Sequence, residues 1–546
     1  MYTVNKRSAT LMIALILGAL TGGAVCARGA RSLNAQAARN VARNEVTIGF
    51  SSIPAHFDPL QGFGSGAQLI FSTLVDTDAD MNIVKDLAAD YTISDDALTY
   101  TFRIRSDARF TDGQSVKASD VAFTFNAIKH NATSTDLSFM QSCESVGDDT
   151  VVFTLIRPQS VFMLTLATVG IVPEHAYSAS GTAADFGLRP VGSGPFKLAQ
   201  FDAGQQFILE ANEGYYGKIP AMKRVVFLNM SDEDTRFIVA RSGQVDITLS
   251  SAILASVSQI SGYHLLNERS VDNMGIAMPM TPNEGNRTAD GYPIGNDVTS
   301  DIAIRKALAY GIDRRQLCED ALSGFATPAY SENDGMPWWN PECVIETDVA
   351  YAAGLLDAAG WRDSDGDGIR EKSGIRAEFP LLYFAGDSTR QAVAMSVANQ
   401  ARDQLGIAIQ VEGVAESDLL PRMFSEPMIL AWGSSNPQVS YMLFHSSNAG
   451  KNDWYNPENF RNAVVDSYLD QALSAPSITA SIPFWQKAQW DGTTGTSLRG
   501  DAPYIFLINK DHLYWARDGL DTGRQKIHAH GDAWPLVANL KDWKWN

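Results

Sequence analysis

Three stretches of the 546-residue chain carry side chains whose types and spacing could do chemistry. Asp363, Asp365 and Asp367, followed by Gly368, match the first, third, fifth and sixth positions of a loop in which alternate carboxylates converge on a calcium ion. Position twelve is Gly374, where a bidentate Glu belongs, and Asp and Gly are also what a tight turn demands, so a turn is the expected reading. His528 and His530 would share one face of a strand and could touch a metal, but tight sites want three or four ligands, and the pair is read as exposed and non-ligating. The third stretch is Trp432, Gly433, Ser434, Ser435 and Asn436, closed by Pro437. It follows the apolar run 428–431 and so lies just past the carboxyl end of an expected strand, where α/β proteins place ligands. Tyr441 and His445 could face the same crevice, although for His445 a plain structural role is preferred.

Catalytic signatures are missing. The chain has no Gly-x-Ser-x-Gly, no His-Glu-x-x-His and no phosphate-binding loop, and Gly62-Phe-Gly-Ser-Gly66 lacks dinucleotide spacing. These absences favour binding over catalysis and call for no cofactor. Cys318 and Cys343 could bridge around a loop carrying Pro337 and Pro341, a staple worth ~2–4 kcal/mol. With Cys143, they would otherwise be three buried thiols.

The elements that must hold these residues follow from periodicity. Tyr100, Phe102 and Ile104 alternate with polar residues as in a half-buried strand, Asp112-Gly113 makes a turn, and Ser119-Asp120 starts a helix with Val121, Phe125 and Ile128 on one face. Residues 224–230, a helix opened by Ser231-Asp-Glu-Asp234, and 245–249 form one strand–helix–strand unit. Residues 378–384, a helix over about 388–405 stopped by Gly406, and 407–411 form a second. Further helices are expected at 304–310, after the Asp313 cap, and after the Asp348 cap up to Gly360. Two such units far apart predict an α/β fold of two lobes with mixed sheets, and the length exceeds the ~250–300 residues of one core.

Lys6 and Arg7 before an apolar run that fades into small residues predict a secretory signal over 1–27, cleaved after Ala27 or Ala37 and followed by a linker over 28–44. Cys26 fits a lipid-bearing cysteine poorly because Val25 precedes it. A net charge of −19 argues against nucleic acid, which needs a basic face.

Asp58-Pro59, Lys85-Asp-Leu-Ala-Ala-Asp90, the run from Asp95 to Arg105, Phe110-Thr-Asp-Gly113, Ala118-Ser-Asp-Val121, Val191-Gly-Ser-Gly-Pro-Phe196, Gly243-Gln-Val-Asp246 and Ile304-Arg-Lys-Ala-Leu308 occur in this order. Together they resemble the extracellular solute-binding proteins of family 5, the peptide and nickel receptors of ABC importers. The resemblance implies a type II periplasmic-binding-protein fold. Lobe I would take 45–275, with a wall subdomain over about 60–180, lobe II would take 276–503, and 504–546 would return to lobe I. It places the strand hinge near Asn273 to Pro279 and Tyr504 to Ile508. It also implies a monomer outside the cytoplasm, in the periplasm or on the outer face of the membrane, that hands peptides or peptide-like solutes to a membrane permease driven by a cytoplasmic ATPase. The alternatives are a nickel or other metal-chelate receptor of the same family and a ligand sensor docking to a signalling receptor.

By position, Phe63, Gly64 and Ser65 fall where family members touch ligand from lobe I. Peptide-binding relatives hold the ligand's α-ammonium with an Asp shortly after the tryptophan that Trp432 resembles, but Ser434, Ser435 and Asn436 stand there instead. Nickel-chelate relatives use a later His, which His445 resembles.

Overall fold

The structure is a computed structural model that describes residues 43–61, 66–131, 135–180, 182–451, 454–531 and 534–546. The expected signal, the linker up to residue 42, and Phe63, Gly64 and Ser65 lie outside the described residues.

Three sheets organise the chain from Glu45 onward. The first has seven strands in the order Tyr263–Glu268, His512–Arg517, Ile247–Ser250, Glu45–Phe50, Arg224–Asn229, Gln206–Ala211 and Phe196–Asp202. Glu45–Phe50 runs parallel to both neighbours, while the outer pairs are antiparallel. The second has six strands in the order Ala326–Pro328, Tyr504–Lys510, Asn273–Ala277, Met428–Trp432, Glu378–Phe384 and Ala408–Val414. Both expected strand–helix–strand units are present, one in each sheet: a crossover helix lets Arg224–Asn229 and Ile247–Ser250 run parallel on either side of Glu45–Phe50, and lets Glu378–Phe384 and Ala408–Val414 pair directly in parallel. The third sheet is antiparallel, made of Ala88–Ile93, Thr99–Ile104, Thr150–Leu155 and Met140–Val146. Tyr100, Phe102 and Ile104 point inward from its second strand as their alternation predicts, and Phe102 packs edge-on against Phe153.

Several local details differ from expectation. The helix expected to start at Ser119-Asp120 spans Ala118–Asn131, one residue earlier, and Ser119 does not cap it. Asp120 does the capping from inside, accepting from the Lys117 N–H at 2.9 Å, since a carboxylate in the first turn can reach back to free backbone donors, and its other oxygen accepts from the Glu174 N–H at 3.0 Å at the start of the helix Glu174–Ala179. The helix Glu233–Arg241 is likewise capped by Asp232 rather than Ser231.

The chain changes sheets at 269–272 and at Asp511, not within Asn273–Ala277 or Tyr504–Lys510. Both of those strands pair inside the second sheet. Asn273–Ala277 is buried along its whole length and Tyr504–Lys510 along all but its last residue, so neither is a solvent-crossing linker.

Cys318 and Cys343 do not bridge. They and Cys143 are free and buried. Cys318 sits on the helix Arg314–Leu322 near Glu319 and Asp511, whereas Cys343 ends the short turn Pro341–Cys343 beside Ser497, so the two sulfurs face different neighbours. Burial pushes the Cys318 thiol up to about 12 and Cys343 upward as well, which leaves both unreactive at neutral pH. Iodoacetamide followed by mass spectrometry is therefore expected to label none of these three thiols in the native protein and all three in urea, and a reductant is expected to leave the unfolding midpoint unchanged. A native bridge would instead cost ~2–5 kcal/mol on reduction.

Candidate functional site

The Trp432 loop is positioned by a strand in the middle of the second sheet whose four preceding residues are buried. Trp432 itself is half-buried and stacks on Tyr455, with ring centroids 5.4 Å apart and planes 27° apart. Gly433 lies directly against the crossing between the sheets. A Cβ here would fall 2.3 Å from the Val271 carbonyl oxygen and 2.9 Å from the Asp272 Cα, so only glycine fits this approach. The Ser434 hydroxyl accepts from the Asn436 N–H and the Asn436 side chain accepts from the Gln438 N–H, both at 3.0 Å. These two residues thus build the turn into the helix Gln438–Phe444, and Ser435 is the member of the loop that lines a cavity.

That cavity, of ≈ 380 Å³, draws its other walls from Pro59, the segments 67–86, 167–170 and 526–541, and Thr135, Pro195 and Tyr215. Ala67 and Gln68, which follow the Phe63–Ser65 position, line it, and Gly66 packs beneath Trp534, where a Cβ would be 2.7 Å from the indole ring. Charges of both signs face inward. Lys526 Nζ sits 2.7 and 2.8 Å from the two Asp76 oxygens, with Lys541 and Asp86 alongside. Burial raises the Asp86 pKa, even though its carboxylate accepts from the Tyr216 hydroxyl at 2.5 Å and the Thr73 N–H at 2.9 Å.

Tyr441 and His445 are not part of this lining. Tyr441 on the helix Gln438–Phe444 and His445 at its C-cap stack on each other with centroids 4.3 Å apart. His445 Nδ1 bonds to Ser447, and its Nε2 lies 3.6 Å from Asp470 and 3.9 Å from Asp466 on the helix Ala463–Leu473, a structural setting. The Asp363 loop forms a turn. Asp363 accepts from the Gly366 and Gly368 N–H groups, Asp367 accepts from the Ile369 N–H, and Glu371 joins the carboxylates within 4.8 Å of one another. The Arg376 guanidinium, 2.7 Å from Asp367, brings positive charge to that cluster.

Sequence reasoning missed Asp272, Lys510 and His512 at the crossing, which His528 and His530 join. Asp272 is fully buried, and its carboxylate receives Lys510 Nζ at 3.1 Å, His512 Nε2 at 3.2 Å and His530 Nδ1 at 2.8 Å. Burial opposes its ionisation, but the Lys510 charge, then His530 and His512, hold its pKa well below the usual carboxylate range. His528, expected at the surface, is 1% exposed and meets His512 Nδ1 to Nδ1 at 3.2 Å. Burial, and then His512, lower the His528 pKa to about 3. No local pattern signals this cluster, because its members are up to 258 residues apart in the chain.

Residues 82–454 match the family model of the bacterial extracellular solute-binding proteins, family 5. Protein XP55 of Streptomyces lividans is 32% identical over 493 residues, covering 88% of this chain and 86% of that protein. The oligopeptide-binding protein AppA of Bacillus subtilis is 24% identical over 503 residues, covering 86% of this chain and 89% of that protein. The crystal structure of NikZ from Campylobacter jejuni in complex with Ni(L-His) superposes with a TM-score of 0.78 at 22% identity, covering 92% of this chain and all of that one. The fold is therefore that of the type II periplasmic-binding proteins. The chain belongs to the bacterial extracellular solute-binding proteins of family 5, binding receptors of ABC importers rather than enzymes.

Proposed function

We propose that the chain acts outside the cytoplasmic membrane as a monomeric receptor that captures peptides or peptide-like solutes in the Ser435 cavity and delivers them to a permease. The observation that carries this reading is the pairing of signs in that cavity. Asp76 and Asp86 face Lys526 and Lys541 there, an arrangement suited to a solute with both an ammonium and a carboxylate. No carboxylate stands among residues 433–437, so the ammonium would be met from the 76–86 side, through charge-assisted hydrogen bonds. Ser435 comes from the second sheet's loop and the other walls from segments outside that sheet, so the second sheet and those segments serve as the jaws. A solute bridging them favours closure only by the extent to which it binds the closed state better.

Thermal unfolding in the presence of a library of two- to nine-residue peptides and of nickel–histidine tests this. A true ligand at a hundred times its dissociation constant is expected to stabilise the fold by ~2.7 kcal/mol. Trp432→Ala, which removes the ring stacked on Tyr455 at the base of the loop that carries Ser435, is expected to weaken that shift while leaving the circular dichroism of the free protein unchanged. Stabilisation by nickel–histidine with none from any peptide would replace the peptide reading by a metal-chelate one.

A further inference from the structure

The crossing between the sheets and the ligand loop share one set of contacts. Asp272 belongs to the first crossing, Lys510 and His512 flank the second, and His528 and His530 lie on the segment that returns beyond the first sheet. Hydrogen bonds to backbone carbonyls knit the three together. The Val271 N–H donates to the His528 carbonyl at 2.9 Å, the Lys510 N–H to the Asp272 carbonyl at 3.0 Å, and the Ser270 hydroxyl to the Lys510 carbonyl at 2.6 Å. The return segment then touches the loop. The His530 N–H donates to the Gly433 carbonyl at 3.1 Å, while Gly433 is pressed against Val271 and Asp272 from the other side.

We propose that Asp272 and His530 are positioning residues for the ligand loop. The carboxylate pins the His530 ring, the His530 backbone holds Gly433, and residues 433–436 therefore move with the crossings. A loop attached this way carries the relative setting of the two sheets to the cavity wall at Ser435. Asp272 suits the role for two reasons. Its carboxylate binds side chains from both the second crossing and the return segment, and its full burial makes those charge-assisted bonds costly to break. The Lys510 ammonium supplies the compensating charge, so the pin does not require His530 to be charged. The proposal takes the Ser435 cavity as the ligand site, but its test does not need a ligand.

Hydrogen exchange resolved to single amides, on the full-length protein without ligand, reads the pin directly through the amide of residue 530. His530→Leu is expected to speed exchange at that amide about tenfold, the loss of one such bond, while amides within Glu378–Phe384 keep their protection. His530→Asn, whose side-chain amide can still donate to Asp272, is expected to restore most of the protection. Asp272→Asn is expected to resemble His530→Leu. If it fails to fold, the comparison of leucine with asparagine at 530 decides. Equal protection in the two 530 variants, or acceleration spread evenly into Glu378–Phe384, would overturn the proposal. If no peptide stabilises the parent protein, the peptide reading fails alone. If a peptide does, His530→Leu is expected to weaken its thermal shift and His530→Asn to retain it.

Discussion

Gly433→Ala is expected to destabilise the protein by about 1–3 kcal/mol in urea unfolding and to remove ligand-induced stabilisation, because the new methyl overpacks a rigid contact. Its Cβ would lie 2.3 Å from one backbone atom and 2.9 Å from another, at Val271 and Asp272, and neither can swing aside as the end of a flexible side chain would. Relief requires the loop to lift from the crossing or the crossing to shift. Lifting the loop breaks the bond from the His530 N–H, and shifting the crossing disturbs the Asp272 carboxylate and its three partners. The cost arises from contact rather than from backbone conformation, since Gly433 is not among the glycines with positive φ. A variant that unfolds like the parent and still responds to ligand would show that the loop is free of the crossing.

Glu458→Gln is expected to flatten the dependence of stability on pH in the alkaline direction. Glu458 is 3% exposed, and burial raises its pKa from 4.5 to about 8. The folded chain therefore keeps a proton that the unfolded chain gives up, so this contribution is fully present below pH 4.5 and is lost as pH rises toward 8. The shift corresponds to on the order of 4 kcal/mol lost across that window. Glutamine cannot ionise, so the variant is expected to equal or fall below the parent in stability at pH 5 and to exceed it at pH 8. Urea midpoints at the two pH values measure the crossover. Glu332, which burial pushes up to about 7, bends the parent profile in the same direction and remains in the variant. Parallel pH profiles for parent and variant would show that Glu458 ionises freely in the folded state.

Much of the architecture was legible without coordinates. The alternation of Tyr100, Phe102 and Ile104, the Asp313 and Asp348 caps, and the Gly406 stop all appear where their local physics puts them. Each is decided by a few neighbouring residues, through side-chain periodicity, a side chain satisfying a free N–H, or a left-handed backbone angle. The same locality placed Trp432 at a strand end and marked 433–436 as its loop. Tertiary structure decided what those residues touch. The sequence could not tell that Ser435 alone among them lines the cavity, that His445 is spent on Tyr441 and Ser447, or that Cys318 and Cys343 have different neighbours. Nor could it show that of His528 and His530, a pair two residues apart, the first meets the His512 ring and the second a carboxylate from a crossing segment far away in the chain. Short-range bonding and periodicity are written along the chain, whereas a buried charge finds its partners only when distant segments are brought together, and which segments meet depends on how the two sheets are joined.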